Sequence, residues 1–231
     1  MDYDLHIHSA LSPCGEDDMR PTNIVRMALL NGLSLISVTD HNSVSNQQAM
    51  ARAAKTYGIA YWYGVELQTK EEVHVLGYFR NEEDVEDFDG WLRTVRDTTM
   101  NRIDHFGNQY LLDENDEILG QERDSLILSL NASLNECVVQ IKKANGRVVL
   151  AHVMDRKNGI LRQLAFIPKN LNFDGIEITK ENQKDELLKA YPWLKDKTFF
   201  LNSDAHRLID IHDAGQTMSE EEIEAFWRNE P

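Results

Sequence analysis

Short apolar runs rich in β-branched and aromatic residues alternate with helical patterns along the chain. This alternation constrains the fold more than any other feature. Strands are predicted over residues 3–6, 33–39, 60–67, 73–79, 147–152, 173–179 and 198–202. Most are continuous apolar runs, as expected of strands covered on both faces. Helices are predicted between them. Residues 21–31 begin with Pro21 at the first helical position and stop at Asn31-Gly32, a sequence suited to a C-cap. Residues 45–57 stop at Gly58 and 133–145 at Gly146, while 182–190 and 219–229 complete the set. Such alternation implies an α/β fold with a largely parallel sheet. Seven strands in 231 residues fit a distorted TIM-like (β/α) barrel better than an open sheet, although the pattern alone does not separate the two. Residues 68–72 leave no room for a helix, so the third and fourth strands are expected to pair antiparallel.

Segment 81–124 breaks the alternation. It holds 14 acids against 4 bases and, with a helical stretch around 91–110 and a turn-rich piece at 113–120, reads as an inserted, solvent-facing helical subdomain within a single domain spanning 1–231. An ordinary solvated charged face is the expectation for it, ahead of an acidic docking surface.

The whole chain carries 39 acids and 24 bases, a formal charge of −15. Charge-driven nucleic-acid binders need a basic footprint, so no long nucleic acid is expected as a partner. Binding to an anionic membrane is disfavoured for the same reason. No run approaches the roughly 18 apolar residues of a spanning helix, and MDYDLHIHSA has neither the basic start nor the apolar centre of a signal peptide. Cys14 and Cys137 lack metal-knuckle or C-x-x-C spacing. A reduced, cytoplasmic protein is therefore expected, with Cys14 packing as a small apolar residue.

Six of the eight histidines fall in or just beyond predicted strands: His6, His8, His41, His74, His152 and His206. Asp40, Glu66 and Asp204 accompany them. In parallel α/β barrels the carboxyl ends of the strands form the functional face, and the hairpin brings the start of the fourth strand to the same rim. A lone histidine at a strand end is usually a hydrogen-bonded core residue. Nine convergent imidazoles and carboxylates are another matter, because burying them without a cation costs heavily in desolvation. The donor set suits Zn, Mn or Fe, and it exceeds what one ion needs.

At these residues the chain resembles the PHP (polymerase and histidinol phosphatase) family. The motifs are Asp4-Leu5-His6-Ile7-His8-Ser9, Thr39-Asp40-His41-Asn42, Gly64-Val65-Glu66-Leu67, His74, Ala151-His152 and Ser203-Asp204-Ala205-His206. The resemblance implies a distorted (β/α)7 barrel with two to three divalent ions, the family's trinuclear centre. It further implies phosphoester hydrolysis by a metal-bridging hydroxide, and it is closest to the stand-alone bacterial phosphoesterases. Carried over by position, His6, His8, His41, Glu66, His74, His152, Asp204 and His206 are metal ligands. Catalytic roles fall on Asp40, His41, Asp204 and His206, with Asp40 orienting a histidine. One further acidic ligand is expected after the H-x-H pair. Counting back from Pro21 favours Glu16, with Asp17 and Asp18 as alternatives. His105 is expected to be structural.

The expected substrate is a small phosphorylated metabolite or a nucleotide. Arg20, Arg156, Lys180 and Arg207 are the candidate phosphate contacts. Release of nucleotides from short nucleic-acid ends is the alternative activity, and an amidohydrolase-type C–N hydrolase a further one.

Overall fold

The computed structural model describes residues 1–228. In chain order the elements are β1 (Tyr3–Ile7), α1 (Pro21–Leu30), β2 (Leu35–Val38), α2 (Gln47–Tyr57), β3 (Ala60–Tyr61), β4 (Tyr63–Gln68) and β5 (His74–Phe79). There follow α3 (Glu82–Val95), α4 (Ile103–Phe106), β6 (Tyr110–Leu112), β7 (Ile118–Gln121), α5 (Leu134–Lys143), β8 (Arg147–Leu150) and α6 (Ile160–Gln163). β9 (Gly175–Ile178), α7 (Asn182–Ala190), β10 (Thr198–Leu201) and α8 (Glu220–Trp227) complete the chain. The last predicted helix ends at Asn229, outside the described residues. Among the described residues no helix is long and apolar enough to cross a membrane.

The architecture is α/β with parallel and mixed sheets. One sheet has the order β1-β2-β3 and is parallel. The other has the order β10-β9-β8-β5-β4. There β5 runs antiparallel to β4, as the short link requires, and also to β8. Two isolated bridges join the sheets, Ile7 to Ala205 and His41 to Glu66. These two sheets therefore meet at two seams, and no closed barrel is formed among the described residues, where a distorted barrel was expected.

The third predicted strand is split at Trp62. Its first part pairs with β2 and its second with β5. Trp62 is buried against Tyr78, Phe226 and Trp227. Gly64 lies so close to β2 that an added Cβ would collide with Ser37 Oγ and Thr39, so only glycine fits. Tyr3, Leu5, Leu35, Leu76, Tyr78, Val149 and Phe200 share one apolar cluster with Phe226 and Trp227 of α8. Side chains from both sheets thus pack on one core, closed at one end by α8. Capping boxes start α5, at Ser133 and Glu136, and α8, at Ser219 and Glu222. Each such cap contributes about 1 kcal/mol.

Segment 81–124 is helical in part. α3 buries Val85, Phe88 and Leu92 in the main core. Residues 110–121, however, form an antiparallel hairpin. Asp113 causes this locally. Its carboxylate accepts the backbone N–H of Asn115 and of Glu117 at 2.9 and 2.8 Å, an Asx turn that offers the backbone an alternative to helix. The hairpin is tied to the loop after β1 by Tyr110 N–H to Ala10 O at 2.8 Å.

Candidate metal centre

Eight predicted site residues come to one place, and the backbone explains why. His6 and His8 lie two residues apart on extended chain at the end of β1, so they share a face. His41 and Glu66 are partners at one seam, and Asp204 and His206 flank Ala205 at the other. Antiparallel pairing sets His74 opposite Gln68 at the end of β4. His152 follows β8. Asn42, His152 and Asp204 have φ of +48°, +29° and +55°. Left-handed backbone is uncommon for such residues and concentrates where surrounding structure over-determines the chain.

Glu66 is the hub. Its Oε1 lies 2.7 Å from His74 Nδ1, 3.1 Å from His152 Nε2 and 3.4 Å from His6 Nε2. Its Oε2 lies 3.1 Å from His41 Nδ1 and 3.4 Å from His8 Nε2. Asp204 Oδ1 lies 3.3 and 3.5 Å from His8 Nε2 and His6 Nε2. The His8 and His206 rings stack at 4.2 Å. Apart from Asp204 and His206, which are partly exposed, all of these residues are buried.

The hydrogen bonds on the far side of each ring show what faces inward. His6 Nδ1 donates to Glu177 at 2.9 Å. His8 Nδ1 donates to Ser12 Oγ at 3.0 Å, because that hydroxyl donates onward to Asp40 Oδ1 at 2.7 Å. His74 Nε2 donates to Gln68 Oε1 at 3.0 Å. A neutral imidazole has one N–H. His6 Nε2 and His8 Nε2 then present lone pairs to each other at 3.2 Å, and His74 Nδ1 presents one to Glu66. His41 Nδ1 is buried without a hydrogen-bond partner among the described residues. Lone pairs facing lone pairs and carboxylates in a buried place are the arrangement a divalent cation stabilises, so these residues fit a metal centre.

Without an ion, the surrounding carboxylates favour a proton on His6 in place of a cation. Burial lowers His6, but Glu177, Glu66 and Asp204 outweigh it and hold the ring well above the usual histidine range. Burial and His206 push His8 down to about 4. Burial also holds His41 well below the usual range, against the pull of Glu66. Burial raises the Glu66 carboxyl, yet His74, His6 and His41 keep it well below the ordinary carboxylate range. Asp204 is depressed against burial by His6 and by its contact with His8.

Asp40 stands behind the cluster. It accepts Ser9 N–H at 2.7 Å, Ser9 Oγ at 2.6 Å and Ser12 Oγ, and so orients His8 through Ser12. Burial raises its carboxyl despite the Ser9 and Ser12 bonds. Glu177 was missed in the sequence. It accepts from His6, from His152 N–H at 2.9 Å and from Asn202 Nδ2 at 2.7 Å. The signal available was a single acid inside the wholly buried run GIEI.

Glu16 does not join the cluster. It is exposed, as are Asp17 and Asp18. Cys14 lies nearer, with a donor atom within 4.8 Å of those of His8, His41 and His206. The residue is exposed, while burial of its thiol, with Glu66 and Asp204 nearby, pushes the thiol above the usual range. Counting back from Pro21 failed because the chain turns tightly at Ser12–Gly15, with Gly15 N–H bonded to Ser12 O at 2.9 Å.

The candidate phosphate contacts separate. Arg20 bonds Asp17 O and Asp116 O at 3.0 and 3.2 Å. Lys180 lies 3.4 Å from Asp155, and Arg207 pairs with Asp210 at 2.7 Å. Arg156 lies 3.5 Å from Asp204 Oδ2 with its side chain 56% exposed. It alone of the four contacts a member of the cluster. His105 is exposed in α4, against Phe106.

Residues 4–181 match the PHP domain. The chain belongs to the PHP domain family. The resemblance carried by the histidine motifs is thereby borne out, and the structure adds Asp204 and His206, which lie beyond the matched residues. A 5′-3′ exoribonuclease from Haemophilus influenzae is 33% identical over 78 residues, covering 32% of this chain and 27% of that protein. The chain's matches span 53% and 27% of the curated relatives. Among solved structures, a candidate metal-dependent phosphoesterase from Bifidobacterium adolescentis is similar with a TM-score of 0.67 and 17% identity, covering 97% of this chain and 94% of that one. The lesion-specific endonuclease Endonuclease Q from Pyrococcus furiosus is similar with a TM-score of 0.67 and 19% identity, covering 96% of this chain and 54% of that one.

Endonuclease Q corrects one expectation. Its complex with a 27-mer duplex has an abasic lesion at the active site, so a protein of similar fold acts on long nucleic acid and the expectation that excluded such a partner does not stand. Overall charge was a poor guide here because the acid excess is unevenly placed. Segment 81–124 carries −10 of the −15, and residues from 216 onward carry −4.

Proposed function

We propose that this PHP chain hydrolyses a phosphoester with two to three divalent ions, Zn, Mn or Fe, held by His6, His8, His41, Glu66, His74, His152, Asp204 and His206. The observation that carries this reading is the convergence of five imidazoles on the two oxygens of buried Glu66. Bound ions would supply Lewis acidity toward phosphoryl oxygens and lower the pKa of water toward neutrality. The chain's own residues set the rest. Oε1 and Oε2 of Glu66 face different histidines, so Glu66 would be among the residues that hold the ions. Glu177 and the Ser12–Asp40 pair hold the Nδ1 atoms of His6 and His8, so that their Nε2 lone pairs would be available to hold an ion. Arg156 is placed to leave Asp204 for an entering phosphate. In this proposal β3 and β4 are one interrupted strand of a distorted seven-stranded barrel, with 81–124 as its insertion.

The substrate class proposed is a small phosphorylated metabolite or a nucleotide. A second reading is removal of nucleotides from a nucleic-acid strand, favoured by the stretch shared with the H. influenzae exoribonuclease. A phosphate-release screen of metal-loaded protein on nucleoside 5′-phosphates and 3′,5′-bisphosphates, beside end-labelled oligonucleotides, decides between them. Chelator-sensitive phosphate release supports the first and stepwise shortening the second. No turnover of any ester by protein with bound metal sinks both.

A further inference from the structure

We infer that Cys14 is a metal ligand, and that with His8, His41 and His206 it forms a three-nitrogen, one-sulfur corner that prefers zinc or ferrous iron to manganese or magnesium. This rests on the reading of the histidine cluster as a metal centre and deepens it. The four donor atoms lie within 4.8 Å of one another. The loop that carries the sulfur is held from several sides. Ser12 N–H bonds Ser9 O at 3.0 Å, Gly15 N–H bonds Ser12 O at 2.9 Å, and Glu16 N–H bonds His206 O at 2.9 Å. Pro13 is buried, and its carbonyl packs so tightly on Gly107 that a Cβ there would collide with it. The sulfur is therefore placed by backbone from three parts of the chain.

A second observation points the same way. The His8 ring lies 4.2 Å from that of His206 and 4.6 Å from that of His41. His41 is buried, and its Nδ1 makes no hydrogen bond among the described residues although Glu66 Oε2 lies 3.1 Å away. Three crowded imidazoles with a thiol beside them gain little from one another and much from a cation among them. No acid from 16–18 enters this corner, so Cys14 is the residue of that loop that offers it a donor, beside the carboxylates of Glu66 and Asp204. Thiolate is a soft donor that favours zinc and iron, whereas manganese and magnesium favour oxygen. A coordinated thiol is also deprotonated by its ion, which removes the cost that burial places on the thiolate.

The test is cobalt titration of metal-free protein followed by absorption spectroscopy. Wild type and Cys137→Ala are expected to show the intense near-ultraviolet sulfur-to-cobalt band, and Cys14→Ser and Cys14→Asp to bind cobalt without it. Cobalt bound to wild type with no sulfur band overturns the inference and leaves the metal centre standing. No bound cobalt at all removes the metal centre itself. Alkylation of wild type by iodoacetamide gives an independent reading that needs no variant. Zinc is expected to protect Cys14 and magnesium to leave it reactive, and equal labelling with and without zinc overturns the inference.

Discussion

Glu177 Oε1 accepts a hydrogen bond from His6 Nδ1 at 2.9 Å, across 171 residues of sequence, and thereby decides which nitrogen of His6 faces the cluster. Both groups are buried. Groups that orient a ligating histidine typically govern metal affinity by roughly 10–100-fold. Glu177→Gln should weaken metal binding by about that factor while retaining the native circular dichroism spectrum. Competition with a chromogenic chelator measures it, and unchanged affinity would remove Glu177 from this role.

Asp204 meets His6, His8 and Arg156 at one oxygen pair. Asp204→Ala should reduce turnover by at least roughly a hundredfold, the scale seen on losing a preorganised charge-stabilising group. Folding should be largely preserved, because Asp204 lies at the mouth rather than in an apolar cluster. Wild-type rates in this variant would place Asp204 outside the reaction.

Arg156→Ala should raise KM for a phosphoester by roughly tenfold, since a hydrogen bond to a charged group contributes about 1.5–3 kcal/mol. Bound metal, measured by elemental analysis, should not change. Loss of metal together with activity would make Arg156 a support for Asp204 and not a substrate contact.

Protonation should destabilise the metal-free protein on the acid side. Burial and His206 hold His8 at about 4, below the ordinary histidine value of 6.5. A depressed group contributes stability that is present above its unfolded pKa and lost as pH falls through its folded pKa. His6 is raised, so it stays charged across this window and adds no slope there. The melting temperature of chelated protein should therefore fall between pH 6.5 and 4, and His8→Gln should flatten that fall. Equal slopes for wild type and variant would contradict the assignment.

Ser12 Oγ links His8 Nδ1, Asp40 Oδ1 and the His41 N–H. Ser12→Ala should cost about 1–3 kcal/mol in urea unfolding, because buried partners lose their bonds. A cost near zero would mean that the Asp40 contacts with Ser9 suffice.

Much of the site is legible in the sequence because its spacing is local. His6 and His8 share a face by the two-residue period of a strand, and Asp204 and His206 end one chain segment together. The antiparallel pairing of β4 and β5 follows from a link too short for a helix. Other features depend on chain segments that meet only in space. Trp62 breaks a continuous apolar run into two strands because α8 packs on it. Asp113 to Gly120 reads as a turn-rich piece, and only the pairing of residues 110–112 with 118–121 makes it a hairpin. Glu177 reads as an odd acid in an apolar strand until His6, His152 and Asn202 surround it.

The sequence by itself determined the α/β class, the PHP family and the identity of eight clustered donors, since covalent spacing and strand period carry that information. Tertiary structure alone decided which residue completes the corner beside His8. Glu16 is an acid in the right stretch of sequence, but its backbone is drawn to His206 and its side chain is left in solvent. Cys14, one tight turn earlier, brings its sulfur to the histidines, because Gly107 and His206 from distant parts of the chain set the direction of that turn.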